Sequence, residues 1–298
     1  MNKLIAIGTV VLIIVMISCR KEIPFTSEVT TSKLVVNSLF EADSSWNINV
    51  SRSLSVIDEA ELASIENATV TIKDGTGTLI ETLVHDADGN YIGTSYPQIG
   101  NTYRVDVSAA GYTSVYGEDL VPDPVNVISI DTAATVISGE EYLGVSITFD
   151  DPSGVKNYYR LSVLVGLWDR WDNGMGGLDS AYWEEEVYLV LNDPAFEGNG
   201  ADSWQTEGIM TDLLFDGQQR TVEVGLDSWF FNNSIVRIQF IDVLFFNSTE
   251  TTYLFNKSYS LYQETNGNPF AQPVQVYSNI TNGFGIFGGA QLFTHRIN

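Results

Sequence analysis

Apolar and polar residues alternate one for one in segment after segment of this chain, and that period of two restricts its fold more than any other feature. Ala68-Thr-Val-Thr-Ile-Lys73, Asn101-Thr-Tyr-Arg-Val-Asp-Val-Ser108, Val145-Ser-Ile-Thr-Phe149 and Ile235-Val-Arg-Ile-Gln-Phe240 each put apolar side chains on one face of an extended strand and polar ones on the other. Between such runs, Asp74-Gly75, Asp88-Gly89-Asn90 and Ile99-Gly100-Asn101 supply the positive backbone angles of tight hairpins. Short strands at this spacing predict a mostly β chain built of sandwiches.

Val121-Pro-Asp-Pro-Val125 marks a boundary, because two closely spaced prolines cannot continue a sheet ladder. Two β-sandwich-like domains are therefore expected, residues 26–122 and residues 125–298. Within the first, Gly100-Asn-Thr-Tyr-Arg-Val-Asp-Val-Ser-Ala-Ala-Gly-Tyr112 resembles the strand-and-turn pattern of transthyretin-like and carboxypeptidase-regulatory-like sandwiches, which implies an immunoglobulin/transthyretin-like fold. In the second, Leu254, Ser258 or Tyr259, Leu261 and Tyr262 fall at helical spacing, which predicts one α-helix near residues 249–264. Glu250 suits its positive N-terminal end and Asn266-Gly267 stops it. The glycine- and aspartate-rich segment Asp169–Ser180 reads as an irregular loop.

The N-terminus carries a different signal. Met1-Asn2-Lys3 precedes an apolar run from Leu4 to Ile17, which is too short to span a bilayer comfortably. Met16-Ile17-Ser18-Cys19 then has the form of a lipobox, so residues 1–18 are read as a signal peptide and Cys19 as the acylated residue. Cys19 is the sole cysteine of the chain, so no internal disulfide is available and acylation would consume the one thiol. Residues 19–25 form a tether. Within it Arg20-Lys21-Glu22 resembles the signal that sends lipoproteins of the Bacteroidota to the outer face of the outer membrane, and reads equally as a solvated spacer.

Charge narrows the partners. The chain carries a formal charge of -24, and removing residues 1–18 with their single Lys3 makes it -25. Such a surface repels nucleic acid and anionic headgroups, so no nucleic-acid partner is expected and the membrane is met through the lipid anchor only. Hydrophobic residues make up 44% of the chain and aromatic ones 12%, enough for packed cores despite the charge.

Several motifs fall in a recognisable order: Lys33-Leu-Val-Val-Asn37, Ala68-Thr-Val-Thr-Ile72, Phe149-Asp-Asp-Pro152 with Asn157-Tyr-Tyr-Arg160, Leu214-Phe-Asp-Gly217, and the glycine-rich end Gly267-Asn-Pro-Phe through Gly283-Phe-Gly-Ile-Phe-Gly-Gly289. Together they resemble the domain-of-unknown-function family 4249 of Bacteroidota cell-envelope lipoproteins. The resemblance implies a lipoprotein accompanying TonB-dependent outer-membrane transporters, and it carries over no catalytic residues. Gly283, Gly285, Gly288 and Gly289 are read as positions of close backbone approach, with Phe284, Ile286 and Phe287 packed between.

Candidate chemistry is sparse. His85 and His295 are the only histidines, too few for a four-ligand zinc site, and no nucleophile elbow accompanies them. Glu184, Glu185, Glu186 and Asp179 read as solvated charge rather than a catalytic carboxylate pair. Asp169, Asp172, Asn173 and Asp179 are calcium candidates without EF-hand spacing, and Asp86, Asp88 and Asn90 form a shorter set. No cofactor is expected. The most suggestive feature is aromatic: Trp168, Trp171, Tyr182 and Trp183, with Asp169, Asp172 and Asp179, form a candidate binding surface.

The expected function is a non-enzymatic accessory lipoprotein, anchored on the outer membrane and facing the cell surface. It would capture a ligand for, or dock on, a TonB-dependent transporter. Two alternatives stay open, an envelope hydrolase acting on glycans and a purely structural envelope protein.

Overall fold

The alternating segments form strands whose apolar faces meet in two cores. A computed structural model describes residues 31–55, 63–172, 174, 177–197, 204–226, 236–265 and 270–297. The signal peptide, Cys19, the tether and Asn173 lie outside the described residues. Strand content of 57% against 8% helix makes sheet packing the organising contact. Among the described residues, those from 32 to 53 and from 63 to 297 belong to one compact unit.

In the first half, β1 (Leu34–Phe40), β2 (Asn47–Arg52), β3 (Thr69–Asp74), β4 (Leu79–Thr82), β5 (Val84–His85), β6 (Asn90–Ile92), β7 (Thr102–Ser108) and β8 (Val115–Leu120) follow in order. β4, β3, β7 and β8 make a four-stranded sheet, while β1, β2, β6 and β5 lie at one end of a larger one. Between them sits a core containing Leu34, Val36, Trp46, Ile48, Ile72 and Val105. Burying each such large side chain contributes roughly 1.5–3 kcal/mol, which is why every second residue of these strands is apolar.

The second half comprises β9 (Asn126–Ile137), β10 (Glu140–Asp150), β11 (Tyr158–Asp172), β12 (Leu178–Glu186), β13 (Leu189–Leu191), β14 (Trp204–Gln205), β15 (Glu207–Thr211), β16 (Gln219–Leu226) and β17 (Val236–Ser248). Helix α1 (Glu250–Thr265) and the final strand β18 (Phe284–Ile297) complete it. A five-stranded sheet in the order β14-β13-β16-β10-β9 packs on β12-β11-β17-β18 around Phe149, Tyr159, Leu161, Val163, Val224 and Phe245. The helix expected near 249–264 is present at Glu250–Thr265. Thr249 caps it, its Oγ1 accepting the Thr252 N–H at 3.3 Å. Tyr158 and Tyr253 seat it on the sheet, ring centroids 4.9 Å apart.

β18 serves both halves. Its first six residues, Phe284–Gly289, run parallel to β1, and Ala290–Ile297 run antiparallel to β17. One nine-stranded sheet therefore passes from one core to the other. The segment before and within β18 sends Ile280 and Phe287 into the first core, so the C-terminal end crosses the linear division at residues 121–125. Phe287 packs on Phe40 at 4.5 Å and on Trp46 at 6.2 Å. Asn279 fixes this crossing: its Oδ1 accepts the Phe287 N–H at 2.9 Å, and its Nδ2 donates to the carbonyls of Phe287 at 2.8 Å and Glu118 at 3.2 Å. The glycines of the crossing leave no room for a side chain. A Cβ at Gly289 would stand 1.8 Å from the Leu120 carbonyl oxygen, and one at Gly285 (φ +105°) 2.1 Å from that of Val36.

The irregular loop expected at Asp169–Ser180 is a correction. β11 and β12 pair continuously from Leu164↔Glu186 to Asp172↔Leu178, so most of that segment is the end of a long hairpin. Trp168, Trp171, Tyr182 and Trp183 favour extended backbone, and cross-strand pairing outweighs the local turn preference of the aspartates.

Candidate functional site

The hairpin's pleat sorts the candidate aromatic and acidic residues onto two faces. Leu167, Asp169 and Trp171 share a face with Trp183, Ala181 and Asp179, and here Leu167 and Trp183 pack against the second core. Trp168, Arg170 and Asp172 share the opposite face with Tyr182, Ser180 and Leu178. Trp168 and Tyr182 stand directly across from one another with centroids 5.4 Å apart, 38% and 39% exposed. Trp171, on the reverse face, is 45% exposed. The seven candidate residues thus flank one hairpin end without forming one patch.

The Trp168–Tyr182 face continues down the sheet as a strip of rings and charges. Trp168 donates its indole N–H to Gln239 Oε1 at 2.9 Å, and Tyr182 donates its hydroxyl to Glu184 Oε1 at 2.6 Å. That bond, together with burial and the charge of Glu184, raises the Tyr182 pKa. Arg296 lies 3.7 Å over the Phe240 ring and pairs with Asp242, which raises the guanidinium pKa. Phe240 in turn lies over Gly166, where a Cβ would come within 2.4 Å of the ring. Side chains that hold one another in this way lose little entropy when a partner arrives, which is what a docking surface requires.

A second locus joins motifs that the sequence keeps 60 residues apart. At the end of the second sandwich, Asp151, Asp212 and Asp216 bring carboxylate oxygens within 4.8 Å of one another. Asp151 accepts the Tyr159 hydroxyl at 2.6 Å and the Gly217 N–H at 2.8 Å. Asp212 accepts the Asn157 N–H at 2.7 Å, and Asp216 the Gly154 N–H at 2.7 Å. Each loop thereby holds the other through backbone donors, with Tyr159 and Phe215 stacked on one another and Phe149 edge-on to both. Burial pushes the Asp151 carboxyl up, opposed by its hydrogen bonds from Tyr159 and Gly217 and reinforced by Asp212 and Asp216. Burial and the neighbouring Asp151 raise the Tyr159 pKa in turn.

This trio is the set of three acidic groups that converges closely enough for a cation among the described residues. The calcium candidates sit elsewhere: Asp169 and Asp179 are on one face of the hairpin, Asp172 on the other, and Asp172 Oδ1 accepts the Gly174 N–H at 2.8 Å. Glu184 and Glu186 alternate with Glu185 across β12, and His85 and His295 lie on different strands, His85 against Tyr91 and His295 opposite Val243. Sequence reasoning singled out none of Asp151, Asp212 and Asp216 as chemistry. Asp151 and Asp216 do fall within the motifs Phe149-Asp-Asp-Pro152 and Leu214-Phe-Asp-Gly217, and the donors Asn157 and Tyr159 within Asn157-Tyr-Tyr-Arg160, while Asp212 lies in none of them.

A third polar knot pins the β18 crossing to the helix. Asp119 Oδ2 accepts the Thr249 hydroxyl at 2.5 Å and the Gly289 N–H at 2.9 Å, while Thr252 Oγ1 donates to the Gly289 carbonyl at 2.9 Å. Burial raises the Asp119 pKa against those bonds.

No curated protein matches this chain. Residues 20–296, nearly its whole length, match the family described as a domain of unknown function (DUF4249), and the chain belongs to that family.

Proposed function

We propose that the protein is a lipid-anchored binding lipoprotein of the outer membrane that docks on a TonB-dependent transporter through the end of its β11–β12 hairpin. The observation that carries this reading is the exposed Trp168–Tyr182 pair, with Trp171 on the reverse face and Leu178 70% exposed beside the turn. Large rings on a rigid sheet offer much contact area for little ordering cost, and Trp and Tyr are the residues that dominate interface energies. The lipobox ending at Cys19 supports the anchor, and the strongly negative body supports a tether through lipid alone. A binding reading is preferred to a catalytic one because the converging carboxylates of Asp151, Asp212 and Asp216 are taken up in holding two loops together.

The test is fractionation and capture with the full chain. Cys19→Ala releases the protein from membranes, since stable retention needs more than one buried acyl chain and a chain of net charge -24 gains no electrostatic help at an anionic surface. Trp168→Ala with Tyr182→Ala leaves the protein anchored and folded but lowers recovery of the transporter from native membranes more than tenfold, as expected for two hot-spot rings. Unchanged recovery would remove the docking role of the hairpin, and a Cys19→Ala protein that stays bound after a salt wash would remove the anchor. Protease treatment of intact cells then tests the surface-facing orientation.

A further inference from the structure

The first sandwich carries a groove that the docking reading does not use. It lies between the turn at Asp74–Thr78 and the loop from Thr94 to Asn101 with the start of β7, and has a volume of about 600 Å³, within the roughly 300–1,000 Å³ usual for ligand sites. Tyr96 stands along it with 59% of its surface exposed, and Ile80 is exposed beside it.

Both walls are held in place from within. Glu81 accepts four hydrogen bonds from the loop, from the N–H and hydroxyl of Thr94 at 2.8 Å each and from those of Ser95 at 3.0 and 2.6 Å. Burial raises the Glu81 carboxyl, but these bonds outweigh it and hold the pKa down at about 2. The Trp46 indole donates to Ser95 Oγ at 3.1 Å, and the Tyr103 hydroxyl accepts the Gln98 N–H at 2.8 Å. On the other wall, Asp74 Oδ1 accepts the Thr76 N–H and hydroxyl and the Thr78 N–H, at 2.9, 2.6 and 2.9 Å. The loop therefore presents Tyr96 and the Gln98 and Asn101 amides without further ordering.

We infer that this groove binds a neutral saccharide. Its lining includes no lysine or arginine and belongs to a chain of charge -24, which disfavours anions. Its one lining carboxylate, Asp74, is turned into its own turn, which leaves little for a cation. A purely apolar ligand would cover the Thr102 hydroxyl and the side-chain amides of Gln98 and Asn101, which bond each other only at 3.5 Å, without pairing their remaining donors and acceptors, at a cost in each case. A sugar answers both demands, its C–H face lying on Tyr96 and its hydroxyls exchanging hydrogen bonds with the two amides and Thr102. The inference is independent of the transporter reading, because the groove and the hairpin face share no residue.

The experiment uses the full lipidated protein in a detergent without a sugar headgroup, applied to an array of neutral hexasaccharides comprising glucans, xylans and mannans. At least one is retained, and calorimetry on that hexasaccharide gives an affinity that Tyr96→Ala weakens about tenfold, while Tyr96→Phe stays within about twofold because the stacking face survives. Thermal unfolding of both variants matches the wild type, since Tyr96 is exposed. Trp168→Ala with Tyr182→Ala leaves saccharide affinity unchanged, which separates this site from the docking face. Retention of no neutral hexasaccharide, or an affinity indifferent to Tyr96→Ala, would overturn the inference.

Discussion

Replacing Phe287 by alanine should destabilise both sandwiches, although the side chain touches only one. Phe287 is fully buried and packs against Phe40 and Trp46 in the first core. Its strand then continues as a partner of β17 in the second sandwich. Removing a buried phenylalanine side chain costs about 3–5 kcal/mol, from lost transfer free energy and from the cavity left in a ring cluster that cannot collapse easily. At about 4 kcal/mol, opening reactions that release β18 become roughly a thousandfold more frequent. Because β18 is the strand common to both halves, amides of β10 and β16 should exchange faster along with those of β3 and β7. Native-state hydrogen exchange followed by mass spectrometry reads the two halves separately in one sample. Phe287→Leu retains most of the volume and should lose only about 1–1.5 kcal/mol, with proportionally smaller changes in both halves. If exchange accelerates in β1–β8 alone and β10 and β16 keep wild-type protection, the two cores are independent and the coupling argument is refuted.

Other consequences follow from the same geometry. Gly289→Ala forces a Cβ against the Leu120 carbonyl, a backbone atom that cannot swing away, and should lower the thermal midpoint by more than any substitution at an exposed β18 position. Tyr159→Phe leaves the buried Asp151 without its hydroxyl donor and should cost about 1–3 kcal/mol, read by denaturant titration. The depressed carboxyl of Glu81 contributes stability that is present above its ordinary value of 4.5 and is lost as pH falls toward about 2. Thermal midpoints across that window should therefore decline less steeply for Glu81→Gln than for the wild type, and parallel curves would contradict the assignment.

The strands were legible because every second residue of segments such as Thr69–Asp74 and Thr102–Ser108 must face a core, and a period of two survives in a single sequence. The helix was legible from Glu250, the spacing of Leu254, Leu261 and Tyr262, and the stop at Asn266-Gly267. The path of the last strand was not. Nothing local in Gly283-Phe-Gly-Ile-Phe-Gly-Gly289 says that its partner lies about 250 residues earlier, although its glycines did announce a close approach. The aspartates and glycines of 169–180 suggested a loop, yet their registered partners across the hairpin extend them as strand. The candidate aromatics were found by composition, and their division between two faces follows from strand alternation, which could be applied only once the segment proved to be a hairpin rather than a loop. Asp151, Asp212 and Asp216 went unnoticed as a cluster because they meet only through long-range strand pairing, of β10 with β16 and of β11 with β15.

The account's central claim, that the hairpin end is the docking face, is tested most directly by photo-crosslinking in living cells. A photoreactive amino acid placed at Leu178, 70% exposed beside the turn, should yield an adduct containing a TonB-dependent transporter. The same group at Ile128, 48% exposed on β9, should not. An adduct from position 128 with none from 178, or no transporter adduct from 178 in a correctly anchored protein, would contradict the account.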